Sequence, residues 1–96
     1  MNVKVLRPDG MQAFWGRTAD VSENGVAATV CGQLFIGDVV TLSFSPDRYS
    51  HPVEVRASVR FQRGFFCGFE FLILNPAQRE QIKRMCEQLS RQSVLR

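Results

Sequence analysis

Hydrophobic and polar positions alternate strictly from Val53 to Phe61, where Val53, Val55, Ala57, Val59 and Phe61 are separated by Glu54, Arg56, Ser58 and Arg60. A period of two predicts a strand with one buried and one wetted face. After Gln62-Arg63-Gly64 the alternation resumes through Phe65-Phe66-Cys67-Gly68-Phe69-Glu70-Phe71, with Phe65, Cys67, Phe69 and Phe71 on one side. The two runs are expected to pair as a hairpin. Val40, Leu42 and Phe44 alternate with Thr41 and Ser43, and Val26 to Val30 is a short β-branched stretch between Asn24-Gly25 and Gly32, so both are further strands. Val3 to Leu6 reads as another, closed by a turn at Arg7-Pro8-Asp9-Gly10. From Gln12 to Asp20, the aromatic pair Phe14-Trp15 and the β-branched Thr18 support a sixth.

The period changes at the end of the chain. Asn75-Pro76-Ala77-Gln78 has the form of a helix start, with Asn75 as N-cap, Pro76 at the first helical position and Gln78 placed to reach back. Ile82, Met85, Cys86 and Leu89 then fall on one helical face, while Glu80 with Arg84 and Glu87 with Arg91 form i,i+4 pairs. One amphipathic helix ending near Gln92 is predicted, with an apolar stripe suited to lying across an opening of a barrel.

Six strands and one helix define a mainly β fold, and closing the sheet into an antiparallel barrel removes the exposed edges of a free meander. With 96 residues, 45% of them hydrophobic and 22% charged, one domain with one modest core is expected. Residues 1–92 form that domain, and 93–96 are read as a loose tail. The longest apolar run is Phe71-Leu72-Ile73-Leu74, far short of the roughly 20 residues that span a bilayer, so no membrane insertion is expected. The first residues lack the apolar core of a secretory signal, which points to a cytoplasmic location. Cys31, Cys67 and Cys86 are odd in number and never in a CxxC pair; they are read as small core residues, with no disulfide framework or metal site.

The net charge of +3 favours anionic partners but is too small to indicate duplex DNA. Ten of the twelve basic residues are Arg, whose planar guanidinium suits phosphate and guanine edges. No nucleophile and base can be paired, because the sole histidine, His51, lies in a predicted loop without an orienting carboxylate. No catalytic residue is assigned. A single-strand nucleic-acid barrel would need several aromatics on one outer face. Most aromatics here are expected to alternate inward, leaving Trp15 or Phe66 as stacking platforms, and Trp15 shares a strand face with Ala13, Arg17 and Ala19.

The segment Ala19-Asp20-Val21-Ser22-Glu23-Asn24-Gly25-Val26 joins the second and third predicted strands and contains the pattern DxSxxG as Asp20, Ser22 and Gly25. Such residues also build ordinary tight turns. In this order, with Gly37-Asp38 before the fourth strand, Val55-Arg56-Ala57-Ser58-Val59 on the fifth and Gly68-Phe69-Glu70-Phe71 on the sixth, the chain resembles the PilZ family over nearly its whole length. The resemblance implies a six-stranded antiparallel β-barrel with one C-terminal α-helix that binds the bacterial messenger cyclic di-GMP, with no other cofactor. An Asp20 carboxylate suits the N1 and N2 edge of a guanine, the Ser22 hydroxyl suits a base or phosphate, and Gly25 is expected to turn the backbone with positive φ. Arg17, close to the motif, is a candidate phosphate contact.

The family also carries an RxxxR element ahead of the first strand, whose arginines grip phosphates and guanines. The chain opens at Met1 almost directly on its first strand. Arg56 to Arg60 matches the pattern literally but lies on the fifth strand and is not taken as the family's element. A turn centred on Pro8-Asp9 would put Lys4 opposite Ala13 and Met1 opposite Gly16. Arg7 is then at the far end of the barrel from Asp20, and a segment about four residues before Met1 would lie beside it. Two accounts follow: the natural protein carries RxxxR upstream, or this is a degenerate domain that has lost the nucleotide and acts as a protein interaction module. The first is the reading adopted, with an effector protein or fused domain as a second partner. For the chain alone, two missing charged contacts of about 1.5 to 3 kcal/mol each would cost roughly two to four decades of affinity.

Overall fold

The computed structural model describes residues 1–8, 12–45 and 51–94, the last five as backbone. Six strands, β1 (Asn2–Leu6), β2 (Ala13–Val21), β3 (Gly25–Val30), β4 (Val39–Ser45), β5 (Val53–Arg63) and β6 (Phe66–Phe71), precede one helix, α1 (Pro76–Val94). All neighbours are antiparallel and the strands close in the order β1-β2-β3-β6-β5-β4. The predicted barrel and its helix are therefore present. Closure satisfies both sides of every strand, so no row of unpaired amides is left at an edge.

Alternation fills the interior. Val3, Val5, Val26, Ala28, Val30, Val40, Leu42, Phe44, Val53, Val55, Ala57, Val59, Cys67 and Phe69 all point inward and are buried. The helix closes the lower opening, where Ile82 and Met85 are buried and Cys86 and Leu89 pack against the same core. Loop 31–38 crosses the upper opening and lowers Leu34, fully buried, into it as a plug.

The helix start is the reciprocal pair that the sequence predicts. The Gln78 backbone N–H donates to Asn75 Oδ1 at 2.8 Å, and the Asn75 N–H donates to Gln78 Oε1 at 2.9 Å. Gln78 Nε2 also donates to the Glu54 carbonyl at 2.9 Å, which ties the cap to β5. Replacing Asn75 by alanine orphans an amide, and a loss of about 1 kcal/mol in urea unfolding is expected, with the barrel intact. Glu80 and Arg84 pair at 3.3 Å; the Arg91 side chain lies outside the described residues. The helix runs to Val94, two residues beyond the expected end near Gln92. Nothing in that stretch is a Gly or Pro that would stop it.

Several expectations are corrected. The β1–β2 register places Lys4 opposite Trp15 and Val3 opposite Gly16, two residues away from the predicted pairing. A turn centred on Pro8-Asp9 would not give that register; Asp9, Gly10 and Met11 lie outside the described residues. Phe65 belongs to the turn at Gly64 (φ 61°), not to β6, and is 65% exposed. Cys31 is exposed at the end of β3, while Cys67 is buried and Cys86 half-buried. Trp15, 61% exposed, and Phe66 lie outside as expected, but Phe61 and Phe65, expected inside, are exposed with them, as is Phe35.

The three thiols differ chemically as a result. Burial pushes the Cys67 and Cys86 thiols above their ordinary pKa, Cys86 with added repulsion from Glu23, Asp20 and Glu87. A raised pKa leaves less thiolate at any given pH. With a thiol-specific disulfide reagent at pH 8, one equivalent should react quickly, and Cys31→Ser should remove that phase. The slow phase should gain rate as the pH is raised.

Candidate ligand-binding site

The DxSxxG segment forms the β2–β3 hairpin at the lower half of the barrel. Ser22 holds the turn: its backbone N–H donates to the Gly25 carbonyl at 2.9 Å, its hydroxyl donates to that same oxygen at 3.2 Å, and Oγ accepts from the Asn24 and Gly25 N–H groups at 3.3 and 3.2 Å. Its hydroxyl is thus engaged within the turn. Gly25 does not have the expected positive φ; among described residues only Gly37 and Gly64 do. Its need for glycine is one of space, since a Cβ there would collide with the Phe69 carbonyl oxygen across the sheet.

Two bulges shape the face next to this turn. Thr18 pairs with Ala28 and Asp20 with Ala27, so Ala19 is an extra residue in β2. Strict alternation from the inward Thr18 would send Asp20 inward; the extra residue keeps its carboxylate in solvent. On β5 the same happens at Arg60, because Val59 pairs with Phe69 and Phe61 with Gly68. Phe61, predicted to face the core, is turned outward and is 45% exposed.

Because Ala27 pairs with Gly68, both bulged strands meet in one row across the sheet: Asp20, Ala27, Gly68, Phe61. The row spans three strand spacings, roughly 14 Å at 4.7–4.9 Å each. Its middle positions are small, and its ends are a carboxylate and an aromatic ring. The result is an open trough of about 320 Å³, also lined by Ser22, Asn24, Gly25, Arg60 and Glu70. Phe61 leans over Gly68, where a Cβ would collide with its ring, and stacks obliquely on Phe66 at 5.7 Å.

Charge at the trough comes from three side chains. Among described residues Asp20 has neither an ion pair nor a side-chain hydrogen bond. Arg60 makes a two-pronged pair with Glu70, Nε to Oε2 at 3.0 Å and Nη2 to Oε1 at 3.2 Å, and that carboxylate raises the pKa of its guanidinium. Both partners are more than half exposed, so the pair contributes little to stability. Arg17 faces outward on β2 two rows above Asp20, donating from Nη1 to Asn2 Oδ1 at 3.3 Å. The structure thus brings Asp20, Ser22 and Gly25 to one trough and leaves Arg17 at its margin. Arg60 and Phe61 are trough residues that alternation alone does not reveal, since a bulge carries no signature in the hydrophobic pattern.

The start of the chain lies close by. The Met1 carbonyl accepts from the Thr18 N–H at 2.9 Å, and the Met1 ammonium donates to Thr18 Oγ1 at 3.0 Å. Partial burial, reinforced by the Arg17 charge, lowers the pKa of that ammonium. At this register a residue two positions ahead of Met1 would stand beside Asp20, nearer than the four of the predicted pairing.

The family model for the PilZ domain matches residues 1–88. The chain belongs to the PilZ family. PilZ domains are binding and regulatory modules, generally for cyclic di-GMP, and generally not enzymes. Six solved chains are similar to it. One is the crystal structure of the PilZ domain of CeSA from a cellulose-synthesizing bacterium, with a TM-score of 0.77 and 21% identity over 94% of this chain and 92% of that one. At that identity the likeness is one of fold. No curated protein sequence matches this PilZ chain.

Proposed function

We propose that this PilZ domain is a cyclic di-GMP receptor and that the trough between Asp20 and Phe61 is where the nucleotide docks. The observation that carries the reading is the pair of facing bulges, which turn a carboxylate and an aromatic ring outward in one row over Ala27 and Gly68. The Asp20 carboxylate accepts from the N1–H and N2–H of one guanine, a two-pronged match for that edge. Arg60 supplies a cation at the opposite wall for a phosphate oxygen, exchanging part of its pairing with Glu70. Phe61 offers an apolar face to a base or ribose. Ser22 acts by holding the turn, so that Gly25 presents bare backbone. Arg17 adds positive potential at the margin.

A segment ahead of Met1 would run along β2 toward Asp20, which is where arginines of an RxxxR element would close the trough. Calorimetric titration of cyclic di-GMP into the 96-residue chain, and into a form lengthened at its N-terminus by an RxxxR segment, tests the proposal. Saturable binding with amide shifts at Asp20, Gly25 and Gly68 supports it, with the lengthened form tighter by at least two decades. Binding whose shifts cluster elsewhere refutes the trough, and no binding by either form makes this a degenerate domain whose partner is a protein.

A further inference from the structure

Six of the seven large hydrophobic side chains exposed among the described residues, Trp15, Phe35, Ile36, Phe61, Phe65 and Phe66, lie in the upper half of the barrel, away from the helix. Backbone hydrogen bonds join the segments that carry them. The Gly37 N–H donates to the Val59 carbonyl, which sets Phe35 and Ile36 alongside the outer end of β5; the Val30 N–H donates to the Phe65 carbonyl; the Cys31 N–H donates to the Trp15 carbonyl. The six therefore form a belt around the rim, from loop 31–38 across the β5–β6 hairpin to β2. The β5–β6 tip and loop 31–38 carry their most exposed members, Phe65 at 65% and Ile36 at 68%.

Charge divides the molecule in the same sense. Among the described acidic residues only Asp38 lies at the rim. Its carboxylate is already occupied, accepting from the Phe35 N–H at 3.0 Å and standing 3.8 Å from Arg7 Nη2. Arg63 is exposed at the hairpin, and Lys4 stands 5.6 Å from the Trp15 ring. The remaining acids, Asp20, Glu23, Glu54, Glu70, Glu80 and Glu87, lie toward the helical end. A belt of aromatic and aliphatic side chains edged by cations, with its most exposed members on the β5–β6 tip and loop 31–38, fits a flat surface that is apolar just below an anionic layer. The same positive rim opposes self-association, and a belt around a rim matches a plane met end-on better than a protein docked on one flank.

We propose that the upper rim docks this domain on an anionic lipid bilayer, with Phe35, Ile36 and Phe65 at headgroup depth and Arg63 and Lys4 among the lipid phosphates. The contact is peripheral: no helix among the described residues is long and apolar enough to cross a membrane. It leaves the helical end and the Asp20 end of the trough in solvent, with Phe61 common to the trough and the belt.

The chain should sediment with vesicles of phosphatidylglycerol and phosphatidylcholine at low salt and not with vesicles of phosphatidylcholine alone. Emission from Trp15, the sole tryptophan, should shift to the blue in the first case only. The double variant Ile36→Ser with Phe65→Ser, whose exposed sites leave the core untouched, should keep the parent's melting curve and partition at least tenfold less. Arg63→Glu, which leaves every apolar side chain in place, should also partition less. Equal sedimentation with both vesicle types, or a double variant that binds like the parent, overturns the proposal. So does a concentration-dependent dimer that the double variant abolishes while vesicles remain unbound, which would make the rim a protein interface.

Discussion

Phe44→Ala is expected to destabilise the barrel by about 3–5 kcal/mol, a large share of the 5–15 kcal/mol by which a domain of this size is ordinarily stable. Phe44 is fully buried on β4 between Val3 and Val53, and its ring meets Phe71 edge-on at 6.1 Å and 84°. Truncation removes the transfer free energy of the ring, opens a cavity that strands locked on both sides cannot collapse, and forfeits the aromatic contact. At 4–8 °C per kcal/mol, the thermal midpoint should fall by at least about 12 °C. Phe66→Ala, on the outer face, should cost less than about 1 kcal/mol. Comparable losses at the two positions would mean that the interior does not carry the fold.

Asp20→Ala carries the largest expected effect on ligand binding. A hydrogen bond to a charged group contributes about 1.5–3 kcal/mol, so its loss should weaken cyclic di-GMP binding by roughly ten- to 150-fold. Calorimetry on the form lengthened with RxxxR reads this directly. Because Asp20 is exposed and makes no ion pair among the described residues, the variant should melt like the parent. Unchanged affinity would remove the carboxylate from the site. Arg60→Ala tests the opposite wall, and a double-mutant cycle should show near-additivity, since the two groups stand three strands apart.

Much of this molecule is legible in its sequence. Three strands follow from period two, the other three from β-branched and aromatic residues between turn signals, and the helix from period 3.6 and the Asn75–Gln78 cap. The DxSxxG turn is legible as well, since Ser22 and Gly25 are residue types that satisfy or permit local backbone geometry. What escapes is whatever breaks periodicity. Ala19 and Arg60 fit the alternating pattern without a flaw, yet each is an extra residue in the ladder, and Phe61 changes sides as a result. The β1–β2 register lies two residues from the one that a turn centred on Pro8-Asp9 would impose. Gly25 is required for a reason its sequence neighbours do not encode, the approach of the Phe69 carbonyl from a strand more than forty residues later.

The facing bulges also determine how the trough could be lost. Substitutions along β2 or β5 alter one group at a time, whereas a register slip that paired Ala19 or Arg60 back into the ladder would turn Asp20 or Phe61 toward the interior in a single step; deleting the extra residue would leave each facing outward. The helix and the closure do not depend on either bulge, so such a slip would be confined to the rows beside the trough. The trough can therefore be lost through strand register alone, with the composition of the strands unchanged.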